Sequence, residues 1–234
     1  MRPTPYHRPT LVVLSSILGW ILAVQCPVAA SGGSPNRADS EGMLTAPGQS
    51  AAAPTPAPPA AAPTPAPGHS VAVIATSFGD ITIELFNDRA PVSVENFLQY
   101  ANEGFFDETI FHRVKPAFMI QGGGLTATLT EKPARAPIQN EATNGLRNTR
   151  GTVAMARRAQ LRSGTSQFYI NIADNRSLDH TGFSPDEFGY AVFGRVLAGM
   201  DVADRIAAVP THTAGGMEDV PVEPVIIKSV HVQK

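Results

Sequence analysis

The chain has 234 residues, enough for one ordinary domain with extensions or for two small domains. Its formal net charge of -2 gives no overall attraction to nucleic acid, so a dedicated polyanion-binding protein is not expected. The single cysteine excludes an intramolecular disulfide framework and a multi-cysteine zinc site. The six histidines are scattered without carboxylates at ligand spacing, so the sequence predicts no metal site.

The amino-terminal region, residues 1–30, predicts a secretory signal peptide. Basic residues precede an apolar run at residues 11–24, and small residues follow it. The run has 14 residues, whereas a transmembrane helix needs about 20 apolar residues, which favours cleavage after Ala30 over a permanent anchor. We therefore expect export, with no membrane association after cleavage. The alternative is a lipid anchor on Cys26, although Gln25 stands where a lipobox normally has a small residue.

The next region, residues 31–69, predicts a disordered Ala/Pro-rich linker. It holds few large apolar residues, and the octapeptide AAAPTPAP begins at Ala51 and again at Ala60. Of the 21 prolines in the chain, 13 lie in residues 1–69. Proline at this density favours polyproline II at about 3.1 Å per residue, so residues 51–67 could span on the order of 50 Å. We interpret the linker as an unselective spacer; the alternative is a stiff tether or a ligand for a proline-recognising groove.

The folded part is expected to be one domain, residues 70–234, because all eleven phenylalanines fall between Phe78 and Phe193. Apolar and polar residues alternate on both sides of Gly79 and Asp80, a pattern that predicts a β-hairpin. The other predicted elements are two helices, from Pro91 to a stop at Gly104 and at about Asp201 to Ala208, and strands at Thr109–Val114, Phe118–Gln121, Gly151–Ala156, Gln167–Ile172, Tyr190–Val196 and Pro224–Val232.

Many short strands with two widely separated helices do not make repeated βαβ units. The predicted fold class is therefore mainly β, and a closed antiparallel barrel is the most economical architecture. Residues 122–150 lack periodicity and predict a long surface loop, which often carries function.

Three other patterns predict no function. Gly122, Gly123 and Gly124 lack the Gly-Lys-Ser/Thr that completes a phosphate loop, and Ser166 lacks the glycines of a nucleophile elbow. The basic run at residues 157–162 has no interleaved aromatic residues, so we interpret it as a solvated rim and expect no nucleic-acid partner.

The most specific segment of the chain is FHRVKPAFMIQGG at residues 111–123. The segments PVSVENFLQY, NGLRNTRGTVAMAR, TSQFYIN and FGYAVFGRVLAGMDVADRI accompany it in the same order as in the cyclophilin family of peptidyl-prolyl cis-trans isomerases. Residues 70–234 resemble this family throughout, and most of all the exported isomerases of Gram-negative bacteria. The resemblance implies an eight-stranded barrel capped by two helices, isomerisation of X-Pro bonds in exported proteins, and a periplasmic location.

The chemistry of this reaction fits one basic residue of that segment. Rotation about an X-Pro bond breaks amide resonance against a barrier of about 18–20 kcal/mol, so catalysis needs no nucleophile, metal or cofactor. It needs an apolar grip on the proline ring and a preference for the twisted bond. The prolyl nitrogen becomes a better hydrogen-bond acceptor when the bond is twisted, and an arginine stays charged in a dry pocket. The resemblance assigns this catalytic role to Arg113.

The resemblance also assigns residues to an apolar proline pocket. Phe118, Met119, Tyr169 and Leu178 match positions that line it, although each by itself is typical of an ordinary core residue. Tyr190 stands where many relatives have a histidine and matches the bacterial branch. Tyr169 stands where many members have phenylalanine.

Polar positions around this pocket are assigned in the same way. Gln121 matches a glutamine that positions the arginine and the substrate backbone, and Gln167 matches a second polar wall. Ala156 and Arg157 match the segment that pairs with substrate backbone. His112 lies beside the site in the family, but isomerisation needs no proton transfer, so we interpret it as structural.

We expect the partners to be proline-containing unfolded or extended polypeptides and the protein to be a monomer. Ser177 replaces the tryptophan of drug-sensitive members, so ciclosporin binding is expected to be weak. The alternative function is that of a proline-binding chaperone or adaptor in which turnover is incidental.

Overall fold

Eight short strands close into an antiparallel barrel in the computed structural model, which describes residues 64–233. Around the barrel the strands run in the order β1, β10, β3, β4, β6, β5, β7, β2, and this confirms the expected fold class. The elements are β1 Ser70–Thr76, β2 Gly79–Leu85, α1 Pro91–Asn102, β3 Thr109–Lys115, β4 Met119–Thr126, β5 Thr152–Met155, β6 Phe168–Asn171, β7 Val192–Ala198, α2 Met200–Ala207, β8 Thr211–Ala214, β9 Met217–Pro221 and β10 Ile226–Gln233.

The barrel interior is filled by the inward-facing residues of the alternating strands. Ile74 of β1 and Ile81 and Ile83 of β2 have no exposed surface, because successive strand residues point to opposite faces. Helix α1 begins at Pro91, whose missing N–H costs nothing at a first helical position, and packs against β7 and β10. Its Phe97 lies edge-on to a barrel phenylalanine in a cluster of aromatic rings. Helix α2 packs against β2, β3 and β4, so each predicted helix covers part of the barrel.

The predicted loop at residues 122–150 is wrong at its start, because β4 continues to Thr126. The sequence pattern misses this part of the strand because three consecutive glycines show no alternation of apolar and polar side chains. A Cβ atom on Gly122 would lie 2.8 Å from the Ile110 carbonyl oxygen, and one on Gly124 would lie 2.5 Å from the Gln167 side chain. The glycines therefore allow neighbouring segments to pack directly on the β4 backbone.

A second hairpin was not predicted from the sequence. Strands β8 and β9 pair with each other outside the barrel, joined at Gly215 and Gly216, and β9 packs against β3. The other predicted strands and helices lie within two residues of the observed bounds.

The predicted signal peptide, residues 1–30, and residues 31–63 of the predicted linker lie outside the described residues and stay predictions. The last part of the predicted linker, residues 64–69, is described, and its Ala66 N–H and His69 Nδ1 both hydrogen-bond to Glu84 of β2. No helix in residues 64–233 is long and apolar enough to cross a membrane.

Candidate active site

A cavity of about 220 Å³ brings together nine of the eleven side chains assigned from the sequence. It lies beside β3, β4 and β6 and under the segments that follow β5 and precede β7. Two assigned residues do not line it: Gln167 faces a neighbouring cavity, and His112 is buried. The lining residues are Arg113, Phe118, Met119, Gln121, Ala156, Arg157, Tyr169, Leu178 and Tyr190.

Strand register places three of these residues in one row. Arg113 of β3 pairs with Gln121 of β4, which in turn pairs with Tyr169 of β6. Directly paired residues on neighbouring strands point to the same face of a sheet. The arginine and the pocket wall are therefore set side by side by the backbone hydrogen bonds of the barrel.

The floor of the cavity is apolar. Met119 and Tyr169 are almost fully buried in a small cluster that is separate from the main core. Phe118, Leu178 and Tyr190 pack onto this cluster and remain partly open to solvent. A proline ring placed here exchanges water for apolar side chains, which is favourable at about 25 cal/mol per Å² of buried apolar surface.

The Tyr169 hydroxyl points into a buried hydrogen-bond network. It donates to Asn148 Oδ1 at 2.7 Å, and Asn148 Nδ2 donates to the Leu178 carbonyl oxygen at 3.0 Å. Burial raises the pKa of Tyr169 well above its ordinary value, so the phenol stays neutral. Asn148 thus supports two pocket residues from a segment that the sequence predicted as a loop.

Arg113 presents its guanidinium at the edge of the pocket. Its side chain is 43% exposed, and within residues 64–233 its ion-pair partner is Asp219, with 3.6 Å between Arg113 Nε and Asp219 Oδ2. Gln121, expected to position the arginine, donates instead to Gln167 Oε1 at 2.9 Å. No hydrogen bond joins Gln121 to Arg113 among the described residues.

His112 lies behind the pocket as a neutral side chain. Burial lowers its pKa to about 4, and the positive charge of Arg113 acts in the same direction. Its Nδ1 is buried without a hydrogen-bond partner in the described part of the chain. An imidazole that is neutral at pH 7 suits the structural interpretation.

Arg157 forms a rigid wall of the cavity. It donates from Nε to the Gly189 carbonyl oxygen at 3.0 Å and from Nη2 to that of Pro185 at 2.8 Å. Its guanidinium also lies 4.7 Å from the centre of the Tyr190 ring, a favourable cation–π distance. The guanidinium of Arg157 is thus engaged in contacts within the protein, whereas that of Arg113 is available to a ligand.

A second cavity of about 570 Å³ adjoins the first and shares Gln121, Ala156 and Arg157 with it. Arg158 and Arg162, from the basic run predicted to be a solvated rim, both line it. The two cavities together form a continuous surface that is apolar at one end and basic at the other.

Comparison with known proteins identifies the family of this chain. The family model for cyclophilin type peptidyl-prolyl cis-trans isomerase/CLD matches residues 71–232. The chain is 50% identical over 162 residues to peptidyl-prolyl cis-trans isomerase A of Dickeya dadantii, covering 69% of this chain and 84% of the relative. It is 52% identical over 159 residues to isomerase B of Escherichia coli K12, covering 68% and 97%.

A solved structure shares the fold. The crystal structure of a Cryptosporidium parvum cyclophilin type peptidyl-prolyl cis-trans isomerase, in the presence of dipeptide ala-pro, matches with a TM-score of 0.60 and 26% identity. The match covers 70% of this chain and 99% of that chain. The chain belongs to the cyclophilin family, as its sequence motifs predicted, and it is a peptidyl-prolyl cis-trans isomerase. The roles of individual site residues remain predictions from the family pattern.

Proposed function

We propose that this isomerase acts on X-Pro bonds in extended or partly folded exported polypeptides, and that it works in the periplasm after its leader is removed. The observation that carries the proposal is a half-exposed arginine, Arg113, beside an open apolar pocket. The leader-like sequence of residues 1–30 supports the location.

The pocket favours the twisted state of the bond through two different contacts. Phe118, Met119 and Leu178 hold the proline ring in apolar surroundings. A terminal nitrogen of Arg113 donates to the prolyl nitrogen, which accepts well only when amide resonance is broken. The Tyr169 hydroxyl donates to Asn148 Oδ1, and His112 is buried outside the lining of the cavity, so neither competes with Arg113 for its hydrogen-bond acceptor.

The shape of the site supports an extended substrate. A polypeptide held by its proline in the smaller cavity continues across the larger one, because both cavities share Gln121 and Ala156. An open surface of this kind suits proline segments in chains that have not finished folding.

Two narrower properties follow from the same geometry. We propose weak ciclosporin binding, because the small, exposed Ser177 supplies no aromatic wall beside Leu178. We also propose a monomer, because residues of one chain line the whole proline cavity. Mass spectrometry of the mature amino terminus distinguishes cleavage after Ala30 from a lipidated Cys26.

The decisive experiment follows cis–trans exchange of a proline peptide by NMR with the wild type and Arg113→Ala. Loss of a preorganised donor is expected to slow exchange by about 10²- to 10³-fold, while the melting temperature stays close to that of the wild type. Arg147→Ala, at an exposed arginine that lines neither cavity, is the matched control and should keep full activity.

Equal rates for the wild type and Arg113→Ala contradict the proposed role. The chaperone alternative predicts that Arg113→Ala still protects clients from aggregation. Protection that depends on Arg113 favours the isomerase as the working function.

A further inference from the structure

We propose that Asp219 is the positioning residue of the active site, holding the guanidinium of Arg113 in the orientation that isomerisation requires. The inference rests on the proposed function only in taking Arg113 as the donor. Asp219 Oδ2 lies 3.6 Å from Arg113 Nε, and Gln121 is engaged with Gln167. In this chain the task that the family pattern gives to Gln121 therefore falls to a carboxylate.

A β-bulge brings Asp219 to the arginine. In the β8–β9 hairpin, His212 pairs with Val220 and Ala214 pairs with Met217. One residue of β8 between these pairs thus opposes two residues of β9, and Asp219 is one of the two. Such a bulge changes the direction of a side chain, and bulges are frequent next to active sites.

The backbone conformation at Asp219 indicates that the surrounding structure forces this side chain to point towards Arg113. Its φ is 60°, in the left-handed region that non-glycine residues seldom adopt, although aspartate tolerates it better than most. Strained backbone is often found where a side chain must reach a functional group. The hairpin packs against β3, the strand that carries Arg113, so the strain is held by packing between the two elements.

The geometry of the contact suits positioning. The carboxylate faces Nε. Within residues 64–233 neither terminal nitrogen of Arg113 is engaged in a hydrogen bond, so both can face the pocket. Asp219 is 26% exposed and Arg113 is 43% exposed, so their attraction is screened by water and contributes little to folding stability. A separation of 3.6 Å is too long for a hydrogen bond, and catalytic contacts of this kind commonly shorten when substrate binds. Loss of the contact between Asp219 and Arg113 should therefore reduce turnover more than folding stability.

The test compares Asp219→Asn and Asp219→Gly with the wild type in the proline-peptide exchange assay. Asparagine keeps the shape and tolerates the same backbone, and glycine removes both the carboxylate and the strain. Both should lower kcat by about tenfold, since a small misplacement of a catalytic group is costly, with KM nearly unchanged. Glu218→Gln, at the exposed neighbouring residue of the same bulge, is the matched control and should keep the wild-type kcat.

A spectroscopic signal separates positioning from a merely structural role. The ¹H–¹⁵N resonance of the Arg113 Nε–H should shift and exchange faster with solvent in Asp219→Asn, and should not change in Glu218→Gln. In an Arg113→Ala background, Asp219→Asn should cause no further loss of rate.

The outcomes distinguish the two hypotheses. If Arg113→Ala retains full activity, the catalytic role of Arg113 is wrong. If Arg113→Ala is inactive while both Asp219 variants keep the wild-type kcat, only the inference about Asp219 is wrong. A fall in kcat without any change in the Arg113 Nε–H resonance also overturns it.

Discussion

Two polar clusters on the barrel differ in how completely their charged groups are hydrogen-bonded. Near the start of the domain, the Glu84 side chain is fully buried, and its carboxylate is hydrogen-bonded by the surrounding residues. It accepts hydrogen bonds from the Ala66 N–H at 2.6 Å, from His69 Nδ1 at 2.9 Å and from Arg195 Nε at 2.6 Å. In the active-site cluster, the ion-pair partner of Arg113 among residues 64–233 is Asp219, at 3.6 Å.

The difference shows how a structural polar group can be told from one that can bind a ligand. In the structural group, partners within the protein already occupy the hydrogen-bonding positions. A buried charge must be fully hydrogen-bonded, because leaving it unpaired is costly. The Glu84 cluster therefore has no capacity left for a ligand. The terminal nitrogens of Arg113 lie beside an apolar pocket without a hydrogen-bond partner in the described part of the chain, so Arg113 has that capacity.

The histidines of the two clusters respond to pH in opposite directions. The hydrogen bond to Glu84 raises the pKa of His69 despite partial burial, so its contribution to stability is present at low pH and is lost as pH rises through that pKa. Burial lowers the pKa of His112 to about 4, so its contribution is full above about pH 6.5 and is lost as pH falls towards 4. Burial alone raises the pKa of Glu84, but hydrogen bonds from Ala66, His69 and Arg195 outweigh it and lower the pKa.

The variant His112→Gln tests the active-site cluster in this comparison, and it should give the largest effect on stability. The wild type should lose about 2–3 kcal/mol of unfolding free energy between pH 7 and pH 4.5 through this residue, because the unfolded chain takes up the proton at a higher pH than the folded chain. The variant should show a correspondingly shallower decrease in urea unfolding. His231→Gln, at an exposed histidine, serves as the control. Identical pH dependence in the wild type and His112→Gln contradicts the prediction.

The next effect tests the saturated cluster with Glu84→Gln. Removing the charge leaves Arg195 and His69 facing an amide, and the unfolding free energy at pH 7 should fall by about 1–3 kcal/mol. Peptide exchange per folded molecule should stay at the wild-type rate, because Glu84 lines neither cavity. Glu223→Gln, at an exposed carboxylate, should change neither quantity. A loss of activity with unchanged stability contradicts the separation of the two clusters.

The smallest effect concerns the basic cavity beside the pocket. Arg158 is paired with Glu131 at 3.3 Å, whereas Arg162 forms no ion pair within residues 64–233. Peptides with a glutamate near the X-Pro bond should have a kcat/KM about two- to fivefold higher than their glutamine counterparts, as expected for a partly exposed ion pair. The preference should shrink at high salt and disappear in Arg162→Gln. A preference that survives in Arg162→Gln places its origin elsewhere.

The sequence alone was sufficient for the elements whose signals are local. Alternating apolar residues predicted the hairpin of β1 and β2, and Pro91 marked the start of α1, because strand and helix periods are written in neighbouring residues. The segment at residues 111–123 was specific enough to indicate the family and, with it, Arg113.

Tertiary structure decided what these residues contact. The row of Arg113, Gln121 and Tyr169 depends on the register of three strands, which no local pattern records. Glycines concealed the extension of β4, since residues without side chains show no alternation.

Asn148 and Asp219 gave no signal in the sequence, because each contacts a residue distant in the chain. Asn148 bonds to the Tyr169 hydroxyl, and Asp219 reaches Arg113 through the bulge of a separate hairpin. The sequence thus determined the fold class and indicated Arg113 as the candidate catalytic residue, while strand register, close packing and one backbone bulge decided which side chains lie beside it. Local patterns fix what a segment forms; only the closed barrel fixes which distant side chains meet.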